Sequence, residues 1–391
     1  MAHANSIFSQ FLSLIPRQNF NKLARKHTTG RKERKLSRWS QFVMLMFIQL
    51  TERKSLRAGV RNITAMQSKT YHLGINKVAR STFSDANNKR PAMFFKELFD
   101  HVLAKTGKIT RGHKFRFKNP LYSLDATTID LNKKSFPWAE FRKNKSGIKL
   151  HTLLDHNGYV PSIVDMTKAK TADVKAGRTI KFSRGDIVVF DKGYNDYDWY
   201  QELTSKGVFF VTRLKTNDEY TVLERNPVKG SITSDQVIKL KKTGLILRRI
   251  GLKDKETGKH YKFLTNNFRL AASTIGGIYK DRWAIEQFLR WIKQNLKIKT
   301  FVGRSENAVL TQIFVVLIVY LLLSIMKHMS KIGQSLQQIL QIMQLHLMDK
   351  VSIEDLFRPP EIIKINVNLG YYRYQVNRTL LSFQKRKKSV K

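Results

Sequence analysis

Four side chains able to act on a phosphodiester stand within one stretch, IYKDRWAIEQFLRWIKQNLKIKTF, from Ile278 to Phe301: Tyr279, Arg282, Glu286 and Lys293. Their spacing, Y-x2-R-x3-E-x6-K, places them within roughly 60° of one another on a helical wheel. Glu286 offers a carboxylate for a divalent cation. Arg282 and Lys293 offer charge to phosphates, and Tyr279 a hydroxyl to a phosphate or a ring to a base. Arg290 and Lys297 point nearly the same way and extend the basic track. The plainer alternative is a solvated helix face with Arg282 and Glu286 as an i,i+4 pair. Two more acids join the set. Asp125 ends the apolar run LYSLD, and Asp191 ends DIVVFD, where Gly193 permits a sharp turn directly after the acid. Either aspartate alone reads as a turn cap. Taken together, three carboxylates from two strands and a helix can hold two divalent cations, about 3.5–4 Å apart, for phosphodiester chemistry. An all-oxygen ligand set favours Mg²⁺ or Mn²⁺.

Such a site needs rigid supports, and the sequence supplies them. Ile285, Phe288, Leu289, Ile292 and Leu296 form an apolar stripe beside the polar line, which fixes that helix on a core. From about Leu121 the texture is strand-like: LYSLDATTIDL, GIKLHTLLDHNGYVPSIVDM and GDIVVFDKGY are β-rich runs broken by turn residues. More short strands with basic faces follow, and helical periodicity returns near Ala271. This order predicts an α/β core interrupted by a β-rich insertion. Ahead of it, residues to about Asn88 read as helical and basic, with a Lys/Arg-rich run between Lys22 and Trp39. YHLGINKVARSTFSDANNKRP gives a helix, Gly-containing turn, helix signal, although an ordinary helical bundle reads the same way. AVLTQIFVVLIVYLLLSIM, Ala308 to Met326, is nearly long enough to span a bilayer, and we expect instead the buried central helix of a large domain. The tail SFQKRKKSVK reads as a disordered basic end.

The whole-chain composition narrows the partner. Across 391 residues, 72 Lys and Arg face 29 Asp and Glu, a net charge of +43. So large an excess repels itself without a counter-charge, and nucleic acid is the polyanion it fits first, ahead of an anionic membrane surface. Cysteine is absent, which excludes disulfides and Cys-ligated zinc. The first residues lack a basic n-region and a cleavage site, so no signal peptide is read and a cytoplasmic location is expected.

The blocks SLDATTIDL, VVFDKGY and Y-x2-R-x3-E-x6-K, in that order, resemble the DDE transposases of bacterial insertion sequences, in the cut-and-paste subgroup with a Y-R-E-K signature. The likeness covers about residues 120 to 325, and the N-terminal part resembles the helical domain often found ahead of that core. The resemblance implies an RNase H-like mixed sheet flanked by helices and interrupted by a β-rich insertion, behind an N-terminal all-helical domain. It divides the chain into a helical DNA-binding domain at 1–88, a catalytic core at 115–328 with the insertion at 199–267, and a C-terminal helical region and basic tail at 329–391. It implies Asp125, Asp191 and Glu286 as catalytic, metal-binding acids, the block aligning on Asp125 rather than on Asp130 or Asp155. Tyr279, Arg282 and Lys293 follow as DNA-binding residues. It implies two Mg²⁺ ions per site, with Mn²⁺ as substitute, a homodimer on double-stranded DNA, and a reaction that passes through a hairpin. Two other readings remain beside it. A plain RNase H-like nuclease would share the acids, and an inactive, transposase-derived DNA-binding protein would keep the charge.

Overall fold

The computed structural model describes residues 5–358 apart from 29–35, 76, 108, 110–111, 143–144, 216–217, 296–300 and 302. The middle of the basic run after Lys22 and the whole of the C-terminal tail therefore lie outside the described residues. Helices come first: α1 (Ile7–Ser13), α2 (Arg17–Lys26), α3 (Arg38–Leu50), α4 (Leu56–Ala65), α5 (Gln67–Thr70), α6 (Arg80–Lys89) and α7 (Met93–Gly107). Ser37 starts α3 by accepting a hydrogen bond from the Ser40 N–H at 3.0 Å, the expected role of a serine N-cap. The expected helix, turn, helix order appears as a 3-10 turn at Tyr71–Leu73, Gly74 at φ +73°, and then α6.

The strands follow: β1 (Leu121–Leu131), β2 (Glu140–Arg142), β3 (Lys145–Asp155), β4 (Val160–Lys168), then α8 (Asp173–Thr179), β5 (Ile187–Phe190), α9 (Tyr197–Ser205) and β6 (Phe209–Arg213). β3 pairs antiparallel with β1, and β4 antiparallel with β3. β5 then pairs parallel with β1, and β6 parallel with β5. Three antiparallel strands continued by two parallel ones form the expected RNase H-like core. β5 has the continuous apolar sequence of a strand covered on both faces, and all four of its residues are buried. Ile187 and Val189 join Leu121, Ile275 and Ile278 in one core. Val188 and Phe190 join Leu124, Trp199 and Tyr200 in the other. Each such side chain contributes about 1.5–3 kcal/mol by leaving water, so the strand carrying Asp191 is held from both sides.

The span expected as a β-rich insertion, 199–267, takes in most of α9 and the core strand β6 before β7 (Tyr220–Arg225), β8 (Ile232–Leu240), β9 (Ile246–Lys253) and β10 (His260–Thr265). The last four strands do not form a separate sheet. β10 pairs with β6, and the order runs on through β9 and β8 to β7, giving ten strands in one sheet among the described residues.

Helices close the described chain: α10 (Ala272–Asp281), α11 (Trp283–Asn295), α12 (Glu306–Met329), α13 (Leu336–His346) and α14 (Ile353–Phe357). α12 is the apolar stretch whose hydropathy alone would suit a membrane. Its apolar stretch is 94% buried within the chain, and it packs against α3, α6, α7, α11 and α13. A helix enclosed on all sides needs apolar side chains all round, so this is a core helix. Phe314 meets Phe99 of α7, while Tyr320 takes the ring edges of Phe288 and Trp291 from α11, with centroids 4.8 and 5.1 Å away. The helix carrying Glu286 is thereby seated on the axle of the fold.

Candidate active site

Register sets the first half of the site. In the parallel pair of β1 and β5, Leu124 lies opposite Phe190. Asp125 is the next residue of β1 and Asp191 directly follows β5, so neighbouring strands deliver both acids at the same level of the sheet. Asp130, five residues further along β1, is exposed and pairs with Gly147, and Asp155 ends β3 opposite Tyr122. An odd offset along a strand turns a side chain to the other face, which separates Asp130 from this set. Asp191 also caps the turn that follows it, because its Oδ1 accepts from the Gly193 N–H at 2.5 Å. A Cβ at position 193 would lie 2.8 Å from that same oxygen. Glycine is needed here for close approach to the acid, and not for an unusual backbone angle.

The second half comes from the α10–α11 junction. The sequence suggests one unbroken helix from Ile278 to Phe301, and the structure corrects this. Helix α10 ends at Asp281, α11 starts at Trp283, and residues 296–300, with Leu296 and Lys297, lie outside the described residues. At the break the Arg282 N–H is shared between the carbonyls of Ile278 and Tyr279, at 3.2 and 3.3 Å, and Ile285 N–H bonds back only three residues, to Arg282, at 3.0 Å. The turn tightens where the Arg282 side chain leaves the helix face toward β1. Its guanidinium lies 2.5 Å from Glu286 Oε1 and 3.6 Å from Asp125 Oδ2. The i,i+4 pair is therefore real, but it is not a solvated surface pair: Arg282 is 13% exposed and reaches an acid on another element.

Tyr279 is half-buried, with its ring 4.8 Å from that of Phe263 and 5.4 Å from the Arg282 guanidinium. Lys293 stands exposed two turns beyond Glu286, with no ion pair among the described residues. The structure thus gathers Asp125, Asp191, Tyr279, Arg282 and Glu286, and leaves Lys293 at the rim. Of the predicted apolar stripe, Ile285, Phe288, Leu289 and Ile292 are all buried.

The electrostatics of the cluster favour an added cation. Burial pushes the Asp125 carboxyl up to about 6, while the Ala126 N–H and Arg282 pull it down and the charges of Asp191 and Glu286 push it up again. Burial also raises Tyr194, whose hydroxyl feels Asp173, Asp125 and Asp191 and has no hydrogen-bond partner among the described residues. Among those residues no three acids or histidines form a ready-made cage for one ion. Arg282 already supplies positive charge between Asp125 and Glu286. An oxygen-only set of this kind, short of positive charge and with an orphaned hydroxyl behind it, fits a hard divalent cation.

Beside Glu286 opens a cleft of 630 Å³, lined by Arg213, Tyr261, Phe263, Tyr279, Arg282 and Trp283. The rings of Tyr261 and Phe263 lie nearly parallel, and the Arg213 guanidinium sits over Tyr261. The sequence reading missed this aromatic shelf. Its members come from β6, β10 and the α10–α11 turn, so no local spacing announces them.

Comparison with known proteins gives this geometry a family. Residues 116–322 match the model of a transposase DDE domain, and residues 3–76 match a domain of unknown function, DUF4372. A putative transposase, y4zB, of Sinorhizobium fredii is 33% identical over 71% of this chain and 80% of its own length. The chain belongs to the DDE transposase family. A probable transposase for insertion sequence element IS5377 of Geobacillus stearothermophilus is 29% identical to this transposase over 64% of the chain and 68% of its own length. Among solved structures, a piggyBac transposase synaptic complex with hairpin DNA aligns over 95% of the chain and 83% of its own, at 11% identity and a TM-score of 0.45. The protein is a DDE-type DNA transposase of the insertion-sequence kind.

Proposed function

We propose that this transposase cuts an insertion sequence at its terminal inverted repeats and joins the freed 3′ ends to target DNA, in the manner of the Y-R-E-K subgroup. Asp125, Asp191 and Glu286 would hold two divalent ions, Mg²⁺ or in its place Mn²⁺. Such a pair supplies charge stabilisation and a stronger oxygen nucleophile to phosphodiester chemistry. The chain's own residues bind and orient. Arg282 and Lys293 hold phosphates flanking the cut, and Tyr279 bonds a phosphate or stacks on a base. Tyr194 stays protonated and can donate from behind the acids. Water opens one strand, and the freed 3′ hydroxyl attacks the opposite strand to close a hairpin. A second water reopens it before the 3′ end attacks target DNA. The enzyme works as a homodimer on DNA in the cytoplasm. Residues 1–88 serve as the DNA-binding domain, 115–328 as the catalytic core with its insertion at 199–267, and 329–391 as the C-terminal region.

One observation carries the reading of the site: parallel strands deliver Asp125 and Asp191 together, and Arg282 bridges Asp125 to Glu286. The test is to incubate the protein with DNA carrying the ends that flank its own gene, in Mg²⁺ and separately in Ca²⁺. The reading expects nicks, hairpins and strand-transfer products in Mg²⁺ that vanish in Glu286→Gln. Nicks without strand transfer would return the protein to the plain nuclease reading. Tight binding without any cutting would leave a DNA-binding relic.

A further inference from the structure

A second polar chain links the same strand to the same turn, on the same face of β1 as Asp125 and deeper in the core. Ser123 Oγ lies 2.7 Å from His156 Nε2, and His156 Nδ1 lies 2.8 Å from Asp281 Oδ2. The Tyr159 hydroxyl donates to that same oxygen at 3.0 Å, and the Lys114 ammonium donates to Asp281 Oδ1 at 2.5 Å. A carboxylate only accepts, so Nδ1 must carry a proton. In the neutral ring Nε2 is then the acceptor, and the Ser123 hydroxyl donates to it. Every bond in the relay has a consistent direction.

Serine, histidine and aspartate in this order suggest nucleophilic catalysis, and burial rules that out. Ser123 and His156 are both fully buried, so no substrate carbonyl or phosphate can reach the hydroxyl. The position of the relay gives it a different use. Ser123 precedes Asp125 by two residues on β1, and Asp281 directly precedes Arg282. Its ends thus lie two residues and one residue from the pair that joins across the candidate site. Backbone hydrogen bonds on both sides of Arg282 fix the shape of the turn but not its distance from β1. Apolar packing of Ile278 against Leu121 brings the two together, and the relay adds directional bonds between them.

We propose that Ser123, His156 and Asp281 are positioning residues, a buried relay that holds the Arg282–Glu286 turn in register with Asp125. The proposal rests on the reading of Asp125, Arg282 and Glu286 as the working site. In this proposal none of the three touches DNA or metal: Ser123 and Asp281 act through the backbone of β1 and of the turn, and His156 joins them. Outer-shell partners of this kind typically change metal affinity or activity by about 10–100-fold when removed.

The test compares His156→Ala, His156→Asn and Ser123→Ala with wild type and with Glu286→Gln. Asparagine places its amide nitrogen where Nδ1 sits, so it can keep the bond to Asp281 while losing the one to Ser123. Three quantities are read: binding of end DNA in Ca²⁺, nicking of pre-bound DNA in Mg²⁺, and Mn²⁺ affinity of the free protein. His156→Ala should nick about 10–100-fold more slowly and bind Mn²⁺ about tenfold more weakly, with end binding within about twofold of wild type. His156→Asn should recover part of both losses. If His156→Ala does not fold, Ser123→Ala, which removes one buried oxygen, must still slow nicking several-fold without weakening end binding. Nicking at the wild-type rate in a folded His156→Ala or Ser123→Ala would overturn the proposal. So would a loss of nicking and end binding in equal proportion, which is what general destabilisation produces. A wild type that nicks nothing while Mn²⁺ affinity still falls in His156→Ala would sink the proposed reaction and spare the relay. An unchanged Mn²⁺ affinity and nicking rate beside an active wild type would sink the relay alone.

Discussion

Asp125 and Asp281 are both aspartates packed between β1 and the α10–α11 turn, yet their surroundings drive them in opposite directions. Burial pushes Asp125 up to about 6, and the nearby charges of Asp191 and Glu286 add to the push. Burial also penalises the charge on Asp281, but hydrogen bonds from His156, Lys114 and Tyr159 outweigh it and hold that carboxyl down at about 2. One acid has every oxygen satisfied by this chain. The other accepts one backbone hydrogen bond, from Ala126, and has one more distant cation partner and two like-charged neighbours. A carboxylate that a fold satisfies completely is suited to support, while one left short of positive charge is kept for something the fold does not itself supply.

The comparison breaks first in activity. Glu286→Gln removes one of the three carboxylates, keeps the size of the side chain and leaves a hydrogen-bond partner for Arg282. End cleavage should fall by at least on the order of 10³-fold, with end binding retained, as read by single-turnover cleavage beside a binding isotherm. Normal cutting in this variant would remove the α10–α11 turn from the site.

Stability separates the two aspartates next, and the signs are opposite. Asp281 has a depressed folded value, so its contribution is present above the unfolded value near 4 and is lost as pH falls toward 2. Asp281→Asn should cost about 2–3 kcal/mol at pH 7, the free-energy equivalent of that shift, and close to nothing near pH 2. Asp125 has a raised folded value, so its charge destabilises the fold as pH rises through about 4 to 6. Metal-free Asp125→Asn should therefore be more stable than wild type at pH 8, by up to about 3 kcal/mol, and indistinguishable from it at about pH 3, below the unfolded value. Denaturant titrations of both variants with a chelator present would measure this. Added Mg²⁺ should then close the gap at pH 8 by stabilising wild type alone. A metal-free Asp125→Asn less stable than wild type at pH 8 would mean that Arg282 already neutralises the acid, and the contrast with Asp281 would collapse.

The parts of this arrangement legible in the sequence were those with local signatures. Apolar runs ending in Asp125 and Asp191 announced strands that finish in an acid. The stripe of Ile285, Phe288, Leu289 and Ile292 announced a helix that would hold Glu286 still. Ala308 to Met326 could be assigned to a core, since it lay shortly after the glutamate helix. What the sequence hid was long-range or geometric. The break at Arg282 has no proline or glycine to mark it. The relay joins Ser123, His156 and Asp281 across 33 and 125 positions, and Asp155, next to it, is the more conspicuous acid. The strands after β6 look like a separate unit in sequence because turns and charges punctuate them. Pairing of β10 with β6 joins them to the core sheet, and hydrogen bonding between strands leaves no trace in composition.

Lys293 provides the smallest and sharpest probe of the boundary between the site and its rim. Arg282 is engaged by two carboxylates, so replacing it disturbs both acids as well as any phosphate it meets. Lys293 is exposed and unpaired among the described residues, so Lys293→Ala removes one charge and little else. Its stability should stay within about 0.5 kcal/mol of wild type. If Lys293 holds a phosphate, the slope of log binding constant against log salt should become shallower by about one unit for end DNA. The loss should be similar on DNA of any sequence, because a phosphate contact carries no sequence information. Arg282→Ala should instead slow cleavage more than it weakens binding, since its first partners are Asp125 and Glu286. An unchanged salt slope in Lys293→Ala would place the bound DNA on the other side of α11, toward the aromatic cleft, and would shrink the working part of the signature to Tyr279, Arg282 and Glu286.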